Sequence, residues 1–119
     1  KPEKLEELYC AAEVYIVMST AETQSLSPMQ GFAYGVPAVA ARARGLANFV
    51  PSDAGFLVEP GNVEEVASKL ELLITDTALH DRMGAAGVEY VQQFSIPAIA
   101  DQWEKIYQNA IAGNTKAQP

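Results

Sequence analysis

The feature that most constrains this chain is the segment Val14–Ala41, VYIVMSTAETQSLSPMQGFAYGVPAVAA, in which two short β-rich runs flank a polar loop and a stretch of helix length. The first run, VYIVMS, is apolar on both faces, which suits a strand buried within a parallel sheet better than an alternating edge strand. The residues from about 26 to 34 read as a helix ending at Gly35, and Pro37 then opens a second strand, PAVAA. The segment is thus a strand–loop–helix–strand unit. What remains to be explained is the loop, a polar run with a single carboxylate, Glu22.

The rest of the chain repeats the alternation. Pro2 with Glu3, Glu6 and Glu7 looks like the acidic opening of a first helix over about 3–12, with Leu5, Leu8, Tyr9 and Ala12 at i, i+3, i+4, i+7. GLANFV reads as a short helix or turn, and GFLVEPGN as a third strand running into a Pro-Gly turn. Asn62 and Glu65 have the spacing of a capping box, opening a helix that runs to about Asp76. Leu79, Met83, Ala86, Tyr90, Val91 and Phe94 mark the next helix. Ile99, Trp103, Ile106, Tyr107, Ala110 and Ile111 mark a last one, capped at Ser95 with Pro97 in its first turn. Strands alternating with helices give an α/β class: a partial parallel sheet of about three strands joined by right-handed crossovers, with flanking helices and a helical C-terminus. Residues 1–113 form one domain, and 114–119 read as a frayed tail.

Composition sets outer limits. A chain of 119 residues is one domain by length and buries roughly 65% of the surface it exposes unfolded. With 49% apolar and 19% charged residues, neither disorder nor a membrane span is expected, and no signal peptide is read at the start. Eight Lys and Arg against fifteen Asp and Glu, for a net charge of −7, argue against nucleic acid as a partner, because phosphate binding needs a basic surface. The single cysteine, Cys10, has no internal partner and points to a reducing, cytoplasmic compartment. It is expected to be buried inside the first helix as a small apolar residue, a reactive thiol being the alternative.

In parallel sheets, ligands bind outside the carboxyl ends of the strands, and the Glu22 loop lies at one such end. A loop entering a helix presents unpaired backbone N–H groups, here those of Thr23 to Ser27, suited to a phosphate or a sugar hydroxyl. On spacing alone, Ser25 or Ser27 reads first as a helix cap, and on composition Glu22 reads first as a solvated loop carboxylate. No His, Cys and Asp cluster has metal-ligand spacing. His80 reads as a surface or packing residue.

The order of pieces, LYCAAEVYIVMSTAETQSLSPMQGFAYGVPAVAARARGLANFV, then SDAGFLVEPGNVEEVASKL and RMGAAGVEYVQQFS, resembles the C-terminal part of a retaining, nucleotide-sugar-dependent glycosyltransferase of the group 1 (GT-B) type, with two facing Rossmann-like domains. The likeness spans about residues 5–108. It rests on G-V-P-x-V-A, D-A-G-x-L-V-x-P-G and M-G-x-x-G together, and the ETQ spelling looks most like members that glycosylate membrane lipids.

The resemblance implies that the loop cradles a donor sugar. The family pattern is Glu, seven residues, Glu. Glu22 matches the first acid, beside the donor hexose. Thr23, Gln24, Ser25 and Leu26 fall in the donor-binding stretch, with Ser25 and Leu26 at the amide positions. Gln30 stands where the second acid holds the ribose. The chain departs from the pattern elsewhere: Ser25 replaces a glycine, Ser27 a proline, Arg44 the first glycine of a Gly-Gly pair, and Asn48 an acid. The acceptor-binding N-terminal domain and the first strands of the donor domain have no counterpart in these residues. The expected function is therefore donor binding, for transfer of a hexose from a UDP- or GDP-sugar to a sugar or lipid hydroxyl through a missing N-terminal domain. No metal or cofactor is implied, this chain alone is expected to be inactive, and it is expected to self-associate through an uncovered sheet edge. The expected location is cytoplasmic, or peripheral at a membrane in a longer protein. The alternatives are a catalytically silent binding or scaffolding module that keeps the fold, and an epimerase of the same architecture.

Overall fold

The computed structural model describes residues 2–113; the expected frayed tail, 114–119, lies outside them. The elements are α1 (Pro2–Ala11), β1 (Tyr15–Val17), α2 (Ser27–Ala33), β2 (Ala38–Ala41), α3 (Leu46–Phe49), β3 (Gly55–Val58), α4 (Val63–Thr75), α5 (Thr77–Gln92) and α6 (Ile96–Ile111). The α/β reading holds. The three strands form one parallel sheet in the order β1-β2-β3, with Ile16 opposite Val39 and Val39 opposite Phe56.

The period-2 alternation of a strand explains the core. Ala38 and Ala40 of β2 face a cluster with Phe32, Val50 and Ala54, while Val39 faces the opposite layer with Val58, Leu73 and Met83. Every residue of β2 is buried, so the strand is covered on both sides, as a central parallel strand must be. The helix α5 joins the two layers: Leu79 and Met83 pack on one face, Ala86, Tyr90 and Val91 on the other. Its Gly84 lies directly over the Gly35 carbonyl, and a methyl group at Gly87 would come within 3.0 Å of the Phe32 ring.

The two sheet edges differ. β1 is an edge strand, not one buried within the sheet as its composition suggested, and Ile16 is 48% exposed. Its sequence is apolar on both faces, but with three strands it has a neighbour on one side only. Because Tyr15 N–H donates inward to Pro37, the alternation of a parallel ladder turns the peptide groups of Ile16 outward. The outer edge of β3 is sealed by its own chain. The Arg42 guanidinium donates to the Leu57 carbonyl at 2.9 Å and pairs with Glu59 at 3.1 Å. Glu65 accepts from the Glu59 N–H at 3.0 Å, and Gly55 N–H donates to Pro51.

Local signals were obeyed at most helix starts. Asn62 accepts from Glu65 N–H, Asp76 from Leu79 N–H and Ser95 from Ala98 N–H. Two expectations about α1 fail. Leu5 and Leu8 are exposed, and so is Cys10. The helix rests on the body through Tyr9, which stacks on Tyr15 and Tyr34, and Cys10 is turned about 100° from that contact. The helix α6 has the expected apolar stripe, yet none of its residues is buried: Trp103, Ile106, Tyr107 and Ile111 are more than half exposed.

Candidate functional site

The loop after β1 sits with the loops after β2 and β3 at the carboxyl end of the sheet. It is held there from outside. Gly45 N–H donates to the Glu22 carbonyl at 3.0 Å, and the approach is so close that a methyl group on Gly45 would overlap the Thr23 carbonyl and lie 3.1 Å from that of Glu22. Only glycine allows the two backbones to meet this way. Arg44, the preceding residue, has φ 38°, in the left-handed region that glycine tolerates and other residues adopt at a cost.

The Glu22 side chain is half-buried and makes no hydrogen bond or ion pair among the described residues. Thr23 and Gln24 are exposed, Ser25 is buried at 4% exposure, and Leu26 is 64% exposed. The backbone N–H groups of Thr23, Gln24, Ser25 and Leu26 likewise have no protein acceptor among the described residues. Neither serine caps α2. Leu26 occupies the N-cap position without a side-chain bond, and the Ser25 and Ser27 hydroxyls pair with each other at 3.1 Å. The reason is burial: Ser25 points inward, where Ser27 is the hydroxyl within reach. With seven residues α2 is too short for much of a dipole, so the loop offers free amides rather than a helix terminus.

Gln30 does not join this group. Its amide oxygen accepts from the Tyr9 hydroxyl of α1 at 3.1 Å, and no hydrogen bond among the described residues joins it to Glu22. It lines a cleft of about 230 Å³ between α1 and α2 with Leu5, Glu6, Tyr9, Ala33 and Tyr34. Burial and, after it, the nearby Tyr15 raise the Tyr9 hydroxyl pKa. Sequence reasoning placed Tyr9 on an apolar stripe and missed this bond. Three tyrosines at helix and strand ends, Tyr9, Tyr15 and Tyr34, were the available signal. A second cleft, of about 310 Å³, flanks the Glu22 loop and is formed by Met18, Thr20, Pro60, Gly61, Asn62, Val63 and Val66.

His80 is a packing residue. Its Nε2 donates to the Glu13 carbonyl at 2.9 Å and its Nδ1 faces Asp81 at 3.2 Å. Both partners are acceptors, so only the protonated ring satisfies both. Burial of the ring lowers its pKa, but the Asp81 and Glu13 hydrogen bonds and both carboxylate charges outweigh this, and the net shift is upward.

The family described as glycosyl transferases group 1 matches residues 1–90. The chain belongs to this family. It is 38% identical over 112 residues to D-inositol 3-phosphate glycosyltransferase of Corynebacterium aurimucosum, covering 93% of this chain and 27% of that protein. It is 32% identical to the sulfoquinovosyl transferase of Arabidopsis thaliana over 77% of this chain and 19% of the other. Among solved structures, sucrose-phosphate synthase from Thermosynechococcus elongatus superposes with a TM-score of 0.79 at 32% identity, over 93% of this chain and 28% of that one. Anabaena HepE in complex with UDP gives 0.78 at 26% identity, over 87% of this chain and 29% of that one. The group 1 chain therefore has the Rossmann-like architecture of GT-B enzymes and spans about a quarter of the length of the relatives it matches.

Proposed function

We propose that this chain is the donor-binding part of a retaining hexosyltransferase, serving transfer from a UDP- or GDP-sugar to a sugar or lipid hydroxyl. In this reading Glu22 orients the donor hexose. The free amides of Thr23, Gln24, Ser25 and Leu26 receive sugar and phosphate oxygens, stabilising the charge that develops on the departing phosphate. Gln30 lies at the ribose. The observation that carries the reading is a half-buried carboxylate with no protein partner, on a loop fixed in place by Gly45. A structural carboxylate in such a position normally finds a donor. The complexes of Anabaena HepE with UDP and with UDP-glucose support a nucleotide-sugar ligand.

Since the acceptor half of the site would lie on another domain, the chain alone is inactive, and its uncovered β1 edge drives self-association. No helix among the described residues is long and apolar enough to cross a membrane; the proposed location is cytoplasmic, or peripheral at a membrane in a longer protein. The second reading, a silent binding module, is favoured by Gln30, an uncharged amide whose oxygen already accepts one hydrogen bond, from the Tyr9 hydroxyl.

Calorimetric titration with UDP-glucose, GDP-glucose and the bare diphosphates tests the choice. Donor binding predicts that the hexose adds affinity and that Glu22→Gln removes that increment while leaving UDP or GDP affinity unchanged. Equal affinity for sugar nucleotide and bare diphosphate in the unaltered protein would overturn the role given to Glu22. Absence of binding by all four ligands favours the silent module.

A further inference from the structure

Arg44 holds a backbone conformation that glycine would adopt without strain. It is the first central residue of the turn Ala43–Leu46, closed by the Leu46 N–H to the Ala43 carbonyl at 3.1 Å, and its φ is 38°. Left-handed backbone at a residue with a side chain persists only where the surroundings enforce it, and such residues cluster at functional sites. What the side chain adds here is a charge. The guanidinium is exposed and makes no hydrogen bond or ion pair among the described residues. Arg42, two positions earlier, is engaged by Glu59 and the Leu57 carbonyl, and Lys69 lies over the Phe56 ring. In a chain of net charge −7, Arg44 is a cation left open at the carboxyl end of the sheet.

Its place along the loop decides which part of a ligand it meets. The next residue, Gly45, donates to the Glu22 carbonyl at 3.0 Å and crowds the Thr23 carbonyl. Arg44 therefore stands at the Glu22 end of the loop, with the amides of Ser25 and Leu26 further along. Glu22 and Arg44 form no ion pair with each other, so both charges stay available to a ligand. A carboxylate accepts the hydroxyl protons of a sugar, and a guanidinium donates a paired fork to an oxyanion. A neutral hexose uses only the first.

We propose that Arg44 is a specificity residue that selects a donor hexose carrying an acidic group, a carboxylate in the simplest case. The proposal rests on the reading that the Glu22 loop holds the donor sugar, and deepens it by naming the class of sugar. Glu22 takes hexose hydroxyls and Arg44 takes the acid group as a bidentate pair. The negative charge on the sugar, which Glu22 alone would repel, is thereby neutralised.

The test is calorimetric titration of the chain with UDP, UDP-glucose and UDP-glucuronic acid; the two sugar nucleotides differ only at the sixth hexose carbon, a hydroxymethyl group in one and a carboxylate in the other. The unaltered protein binds UDP-glucuronic acid about fivefold more tightly than UDP-glucose, the difference between charge-assisted and neutral hydrogen bonds. Glycine and asparagine both accept a left-handed backbone, so Arg44→Gly and Arg44→Asn remove the cation and keep the turn, as urea melts confirm, and bring the two affinities to within about twofold of each other. Arg44→Lys keeps part of the preference, because an ammonium is a point charge without the fork. If UDP-glucuronic acid binds the unaltered protein no more tightly than UDP-glucose, the role given to Arg44 falls, while a hexose increment over UDP that Glu22→Gln removes leaves the donor reading standing. A preference for the acid that survives both substitutions belongs to another cation and also overturns the proposal. Substitutions that weaken bare UDP as much as UDP-glucuronic acid put the guanidinium at the diphosphate and refute the hexose assignment. If none of the three ligands binds, both readings fall.

Discussion

Gly45→Ala is the sharpest test of how the Glu22 loop is held. The backbone of Gly45 has φ −60° and ψ −32°, a conformation that alanine prefers, so on local grounds the substitution stabilises by about 0.4–1 kcal/mol. The neighbours reverse the sign. The new methyl group would overlap the Thr23 carbonyl, which is backbone and has no rotamer to yield, and overpacking of this kind costs about 1–3 kcal/mol. Moving the loop away also breaks the bond from Gly45 N–H to Glu22, worth about 1 kcal/mol. The net expectation is a loss of about 2 kcal/mol, which at a typical slope lowers the urea midpoint by roughly 1 M. Gly31→Ala is the control. A methyl there would meet Tyr15 Cβ at 3.4 Å and the Val36 carbonyl at 3.7 Å, near ordinary contact distances, inside a helix, so it should be neutral or stabilising by up to about 1 kcal/mol. Urea melts of the two variants beside the parent decide the matter. A Gly45→Ala protein as stable as the parent would refute the lock between the two loops.

Two further outcomes follow from other parts of the structure. The His80 pKa is raised on folding, so its stabilising effect is fully present below the unfolded value of about 6.5 and is lost as pH rises through the higher folded value; the stability gap between the parent and His80→Ala should therefore be larger at pH 5.5 than at pH 8.5, and a gap that widens with pH contradicts the assignment. With β3 sealed and β1 open, association of this chain should stop at closed pairs, whereas Arg42→Ala with Glu65→Ala uncovers the second edge and should give open-ended larger species in sedimentation, an outcome that Ile16→Lys reverses.

The sequence revealed what depends on one residue and its near neighbours. The strands, the short α3, the Asn62 cap and the Ser95 start with Pro97 all follow from local periodicity and turn chemistry, and each appears in the structure within a few residues of its expected place. What it did not reveal depends on residues far apart in the chain. Glu65 was legible as a capping partner of Asn62, but its bond to the Glu59 N–H, which closes the sheet edge, requires knowing that Glu59 faces outward. Cys10 looked like core because α1 looked amphipathic; the helix is anchored by tyrosine stacking instead, which periodicity does not register. At the candidate site, Glu22 and the free amides could be named from the loop alone. The Gly45 contact and the Tyr9 bond to Gln30 could not, since each joins segments about twenty residues apart.

A comparison of magnitudes shows what keeps the loop in shape. Arg44 holds a left-handed backbone at a cost of roughly 1–2 kcal/mol. The neighbouring bond from Gly45 to Glu22 returns about 0.5–1.5 kcal/mol, which on central values falls short of the strain. The surplus must come from packing, and the adjacent residue provides it. Leu46, the first residue of α3, is completely buried, and burying a leucine side chain contributes about 1.5–3 kcal/mol. Leu46 therefore pins the turn from the core side, the turn sustains the conformation of Arg44, and Gly45 passes that constraint to the loop bearing Glu22. The geometry of the loop bearing Glu22 is supported in this way by one buried apolar side chain at the start of α3.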